Sequence, residues 1–285
     1  MATTNVITLP KKALAVIPTY LKYLKKTGKS LKSTDGKNIE IWELSVPIAD
    51  PCLSEWAVRF RQHYCLDAEI DELRDGTGLS RSEYLVQLVF PNNTKAPGPG
   101  VRSGDFAELL IADYVEYLLG FWVPREKYAE KASRDESVKG VDILGFKLIE
   151  PGKELPADTL LAFEVKAQLG GGKYAERLQT AVDDSSKDYL RSAYTLNATK
   201  RRLLSAGDHE HAIVVRRFQN IADRPYVFTS GAAAVLSDES YDEAALQATK
   251  TAGHKNAASL ELIVVRGSQL MALVHALYEK AANEA

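Results

Sequence analysis

The chain has 285 residues, a net charge of −2 and 45% apolar side chains. That is enough to bury one large core or two small ones, and too balanced in charge for a uniformly basic nucleic-acid binder. No stretch approaches the roughly 20 apolar residues of a membrane span, and the N-terminus lacks a signal peptide's apolar segment, so a cytoplasmic protein with no membrane partner is expected. The two cysteines, Cys52 and Cys65, have no Cys or His neighbours at metal-ligand spacing and read as free thiols.

Eight lysines from Lys11 to Lys37 are opposed by Asp35 alone. This segment reads either as a solvated helix face or as a contact for phosphate or an acidic partner. Ile39 to Val46 alternates at strand period, and Ser54 to about Leu73 places Trp56, Phe60, Tyr64 and Ile70 at near-helical spacing. Tyr84 to Phe90 reads as a further strand. The run from Pro91 to Gly100 breaks both periodicities and marks a boundary between an N-terminal α+β module, residues 1–95, and a second domain, residues 100–285. Ser103 is the expected cap of a helix that runs to about Leu119 and carries Glu108 near its start. Three strands should follow: Phe121 to Tyr128, broken by Pro124, then Val138 to Ile149 and Thr159 to Ala167. Beyond Gly170-Gly171-Gly172, an amphipathic helix interrupted once fits Tyr174 to Leu204. His211 to Phe218 fits helix or strand, Tyr226 to Leu236 and Leu260 to Val265 read as strands, and a final helix covers Gln269 to Ala281. The order of elements is mixed α/β.

Leu160 to Gln168, LLAFEVKAQ, carries the most chemistry. Side chains two apart on a strand share a face, so Glu164 and Lys166 leave an apolar run on the same side. Charges in such a run need a partner, water or an ion. Asp142 lies in a second apolar segment, and an aspartate, a gap and then Glu-x-Lys is the pattern of metal-dependent nucleases. Phosphodiester hydrolysis needs an activated water, a clamp on the phosphate and compensation of charge on the leaving oxygen, all of which a hard divalent cation supplies. Mg2+ (or Mn2+) prefers oxygen ligands and keeps several waters, so Asp142 and Glu164 are the expected metal ligands, with the Val165 carbonyl a further candidate. Glu108 is positioned by its helix to reach the metal directly or through water. Lys166 is expected to lower the pKa of the attacking water or to stabilise the transition state. Gln168, one strand step beyond Lys166, and Lys173 are candidate substrate contacts. The competing reading is a structural ion pair between Glu164 and Lys166.

Other constellations are weaker. His209-Glu210-His211 follows a Gly-Asp pair and reads as an exposed loop, and His275 as a structural helix residue. Lys200-Arg201-Arg202 and Arg216-Arg217 are small basic clusters. Gly170-Gly171-Gly172 lacks the Lys-Ser ending of a phosphate-binding loop, so the chain itself is not expected to hydrolyse ATP.

With these residues assembled, the chain resembles the PD-(D/E)xK nuclease superfamily, and within it the HamA nuclease subunits of the Hachiman antiphage defence system. The likeness rests on SGDFAELL at Ser103 to Leu110, VKGVDILGF at Val138 to Phe146, and LLAFEVKAQ; the first 95 residues add no matching motif. The resemblance implies a restriction-endonuclease-like mixed sheet flanked by helices, with Glu108, Asp142, Glu164 and Lys166 as the active-site set. It also implies a DNA-cutting effector that works with a separate ATP-dependent helicase. The linker at Pro91 to Gly100, with no catalytic motif before it, points separately to residues 1–95 as a module that docks that partner or restrains the nuclease. Two alternatives remain open: a catalytically silent nuclease fold that binds DNA or protein, and a type II restriction endonuclease.

Overall fold

The computed structural model describes residues 16–285, so Lys11 and Lys12 of the lysine run lie outside the described residues. In chain order the elements are β1 (Leu24–Lys32), β2 (Asn38–Leu44), α1 (Cys52–Gln62), α2 (Ile70–Arg74), α3 (Arg81–Tyr84), α4 (Gly98–Asp113), β3 (Ile143–Lys147), β4 (Thr159–Gln168), α5 (Arg177–Ser185), α6 (Asp188–Ser205), α7 (His209–Arg217), β5 (Val227–Ser237), α8 (Glu243–Gln247), β6 (Leu260–Gly267) and α9 (Leu270–Asn283). The six strands form one sheet in the order β1-β2-β6-β5-β4-β3. β2, β6, β5 and β4 pair in parallel, while β1 and β3 are antiparallel edges. This is the mixed sheet flanked by helices that the sequence implies.

Alternation along β4 decides which helices meet which side chains. Leu161, Phe163 and Val165 face a core shared with α1, α4 and α9. On the opposite face, Leu160 and Ala162 pack against α6 and α7, while Ala232, Ala234 and Leu236 of β5 pack against α5. Glu164 and Lys166 belong to that second face, which is why α5 and α6 reach them. Phe163 pairs with Gly231 on β5, and a methyl group at Gly231 would run into the Phe163 ring. Glycine there is a packing requirement.

Several elements differ from the sequence-based expectation. The segment before residue 95 is built into the sheet: β2 lies between β1 and β6, and Trp56 and Phe60 of α1 share a core with Leu277 and Tyr278 of α9. The boundary at residues 91–100 therefore does not separate two cores. Within the lysine run, Lys25, Lys26, Lys29 and Lys32 lie on an edge strand instead of a helix, with a register shift between Lys26 and Ser30 at Gly28, whose φ is +75°. Charged side chains and a bulge on an edge strand oppose pairing with another chain.

Tyr84 to Val89 is helical, because Ser80 and Glu83 form a reciprocal capping box that starts α3, which then widens into a π-turn at Leu85–Val89. Helix α4 begins at Gly98, with Pro99 in its first turn, so Ser103 is an interior residue and not the cap. The strand expected at Phe121 to Tyr128 reduces to a single bridge between Trp122 and Phe146, since Pro124 offers no N–H to extend it. His209 to His211 open α7, where Asp208 Oδ1 accepts the His211 backbone N–H at 3.1 Å, and the His211 ring stacks on Trp122. Both cysteines are buried free thiols, and no helix among the described residues is long and apolar enough to cross a membrane.

Candidate active site

The site forms where β3 and β4 separate. Their last paired residues are Ile143 and Phe163, so Glu164 to Gln168 run on without a β3 neighbour. Asp142, the residue just before β3, closes the gap by accepting the Val165 backbone N–H on Oδ2 at 2.9 Å. That single bond fixes the aspartate beside Glu164 and Lys166.

Lys166 Nζ lies 2.6 Å from Glu164 Oε1 and 3.1 Å from Asp184 Oδ2 near the end of α5. Arg191 on α6 adds a looser contact: its Nη1 is 3.6 Å from Glu164 Oε2 and 3.5 Å from Asp188 Oδ1. Neither distance is a good hydrogen bond. Glu164 Oε2 and Asp188 Oδ2 are accordingly buried without a hydrogen-bond partner, in residues only 3% and 0% exposed.

Glu108 comes from the other side. Its Oε2 accepts from Lys127 Nζ at 2.5 Å and Tyr128 Oη at 3.0 Å, and Lys127 also donates to the Asp142 carbonyl at 2.6 Å. The short turn at residues 126–128, which follows the Trp122 bridge, places this lysine and tyrosine.

The electrostatics follow from burying acids together. Burial, then Glu108, then Glu164 hold the Asp142 carboxyl well above the usual range, against Lys127 and the Val165 N–H. Burial lifts Glu164 to about 7, with Lys166 as the main opposing influence and Asp188 adding to the rise. Asp188 is likewise pushed up to about 7, by burial and partly by Asp142, although Arg191 opposes it. Burial alone would lower Lys166, but Glu164 and then Asp142 and Asp184 raise its pKa, so it stays cationic. An added cation would relieve all three acids.

The fit of a divalent metal is therefore chemical. Among the described residues, no three His, Cys, Asp or Glu side chains converge as a ready-made ligand set. Glu108 is turned onto Lys127 and Tyr128, and Glu164 onto Lys166. The unpartnered buried oxygens of Glu164 and Asp188 are the observation that suits a cation.

The structure thus brings Glu108, Asp142, Glu164 and Lys166 together. The Gln168 side chain binds the Lys173 carbonyl at 2.8 Å and the Ala175 N–H at 2.9 Å, pinning the glycine-rich loop. Lys173 is exposed on that loop. Arg217 is no surface cation either, because its guanidinium is buried on Asp158 at 2.9 Å and on three backbone carbonyls. Sequence reasoning missed Lys127, Tyr128, Asp184, Asp188 and Arg191. The last three lie on two helices, Asp184 on α5 and Asp188 and Arg191 on α6, so no single helical spacing marks them as a set.

A mixed sheet with an aspartate entering one strand and Glu-x-Lys leaving the next is the restriction-endonuclease-like, PD-(D/E)xK arrangement. The chain belongs to the HamA family, whose model matches residues 18–281. It is therefore related to the subunits of an antiphage defence system, and the match extends well into the first 95 residues. No curated protein and no solved structure matches the chain.

Proposed function

We propose that the chain is a metal-dependent deoxyribonuclease, the DNA-cutting effector of a defence system in which a separate helicase is the partner. The observation that carries this reading is the divergence of β4 from β3, which projects Glu164 and Lys166 beside Asp142, with buried carboxylate oxygens that lack a hydrogen-bond partner. Asp142 and Glu164 would hold Mg2+ or Mn2+, with Glu108 joining them on release from Lys127. The metal supplies Lewis-acid activation of water and neutralisation of phosphate charge.

The remaining roles belong to the chain. Lys166, kept cationic by Glu164 and Asp184, is suited to neutralise charge that develops on the phosphate and poorly suited to act as a base. Asp142 positions the β4 backbone through the Val165 N–H, which fixes the direction of the Val165 carbonyl. Lys127 holds Glu108 and the Asp142 carbonyl in one contact, tying helix to strand across the site.

Purified protein given plasmid DNA and Mg2+ or Mn2+ is expected to nick or degrade it. The double substitution Glu164→Ala, Lys166→Ala should abolish cutting while leaving the circular dichroism spectrum unchanged. Undiminished cutting by that variant would move the site elsewhere. One observation favours a catalytically silent DNA- or protein-binding fold as the second reading, namely the closed state of Glu108 and Glu164 on their lysines. A Mn2+ titration showing no binding would favour it.

Family membership supports the helicase partner. The lysine-bearing edge β1 is the surface assigned to it, its charges being exposed and only partly paired, as Lys26 is with Glu40 at 2.6 Å. Charge reversal at Lys25 and Lys32 should then weaken co-purification with the helicase. Unchanged co-purification would remove β1 from the interface.

A further inference from the structure

We propose that Tyr194 is a stacking platform for an unpaired nucleobase, so that the strand delivered to the site is single-stranded where it crosses α6. The inference rests on the nuclease reading and names its substrate class. Tyr194 is 83% exposed in the middle of α6, with Leu190, one turn earlier, 61% exposed. A lone exposed aromatic means little. This one lines a cleft of about 390 Å3 that opens onto Asp142, and the same cleft is walled by Lys127, Lys139, Arg191 and Arg202.

Helical spacing sets the distance. Tyr194 follows Arg191 by three residues, about 4.5 Å along the helix axis and on the same face. Arg191 is the residue whose guanidinium reaches towards Glu164. A strand with its phosphate at Glu164 and Lys166 therefore carries a neighbouring base over the Tyr194 ring. Lys139 and Arg191 along the cleft attract the backbone, Lys127 and Arg202 being held by Glu108 and Glu130, while the ring offers a π-face that accepts any base. A base inside a duplex has both faces covered by its neighbours and cannot use that surface.

The test uses the full chain in EDTA, so that nothing is cut, with a single-stranded oligonucleotide containing 2-aminopurine and the same oligonucleotide in a duplex. Wild-type protein should alter 2-aminopurine fluorescence in the single strand and leave it unchanged in the duplex. Tyr194→Ala should weaken single-strand binding about tenfold and abolish the fluorescence change. Tyr194→Trp should restore both. Because the side chain is exposed, these substitutions do not threaten folding. With metal present, Tyr194→Ala should raise KM on single strands and leave kcat unchanged. Equal affinity and equal fluorescence response for wild type and Tyr194→Ala would overturn the stacking role, even in a protein that cuts DNA. An equal response from the duplex would overturn the single-strand assignment. Loss of all cutting and all binding by wild type would instead overturn the nuclease reading itself.

Discussion

Glu164→Gln should make the metal-free protein more stable at pH 8 while it abolishes cleavage. The carboxyl is held at about 7 in the folded chain against an ordinary value of 4.5. Between those values the folded state binds more protons than the unfolded state, so stability falls as pH rises from about 4.5 to about 7 and is level beyond. At 1.36 kcal/mol per tenfold, the full gap is worth on the order of 3 kcal/mol at pH 8 and nothing near pH 4.5. Part of the gain is lost because Lys166 loses a charged neighbour, although it keeps Asp184 at 3.1 Å and glutamine still accepts its hydrogen bond. A net gain of about 1–3 kcal/mol at pH 8 remains. Urea unfolding of both proteins in EDTA at pH 5 and pH 8 measures it. Mn2+ should stabilise wild type more at pH 8 than at pH 5, and should do little for the variant. A Glu164→Gln protein less stable than wild type at pH 8, or an effect independent of pH, would refute the idea that crowding of buried acids is what the cation relieves.

Asp188→Asn should act in the same direction, stabilising the metal-free protein above neutral pH because it removes a second buried carboxylate lifted to about 7; thermal melts at pH 5 and pH 8 check this. Arg217→Met should cost about 3–5 kcal/mol, since it strands the Asp158 carboxylate and three carbonyls in the interior, whereas exposed Arg216→Ala should cost little. Chemical denaturation of the pair separates a structural arginine from a DNA contact, and equal losses would sink the distinction. Gln168→Ala should free the loop at residues 170–175 to proteolysis while sparing the global unfolding midpoint, because the bonds it removes are confined to that loop.

How much of this was legible in the sequence depended on whether the signal was local. β4 could be read directly, because period-two alternation fixes the common face of Glu164 and Lys166 without knowledge of any neighbour. β1 could not, because lysines and Gly28 replace the apolar alternation that identifies a strand, and an edge needs little of it. Tyr84 to Phe90 reads as a strand from its β-forming residues alone, and the Ser80–Glu83 capping box that starts a helix instead lies just ahead of that run. Arg191 and Asp188 were hidden for a different reason. Their meeting with Glu164 is set by α5 and α6 crossing the face of the sheet, which no local spacing encodes. The position of β2 beside β6 belongs to the same class, since more than 200 residues separate the partners Ile39 and Leu262.

That last pairing has a consequence for the order in which the protein can come into being. Emerging from a ribosome, β1 and β2 can form only a hairpin, and their place in the sheet stays open until β6 has been synthesised. Pairing at such sequence separation is slow. Until then β5 lacks the neighbour that flanks it opposite β4, and the core under β4 lacks α9. The strand that carries Glu164 and Lys166 therefore acquires its rigid setting only after β6 and α9 have been synthesised. A chain stalled or cut short before residue 260 has Asp142, Glu164 and Lys166 but not the frame that aligns them.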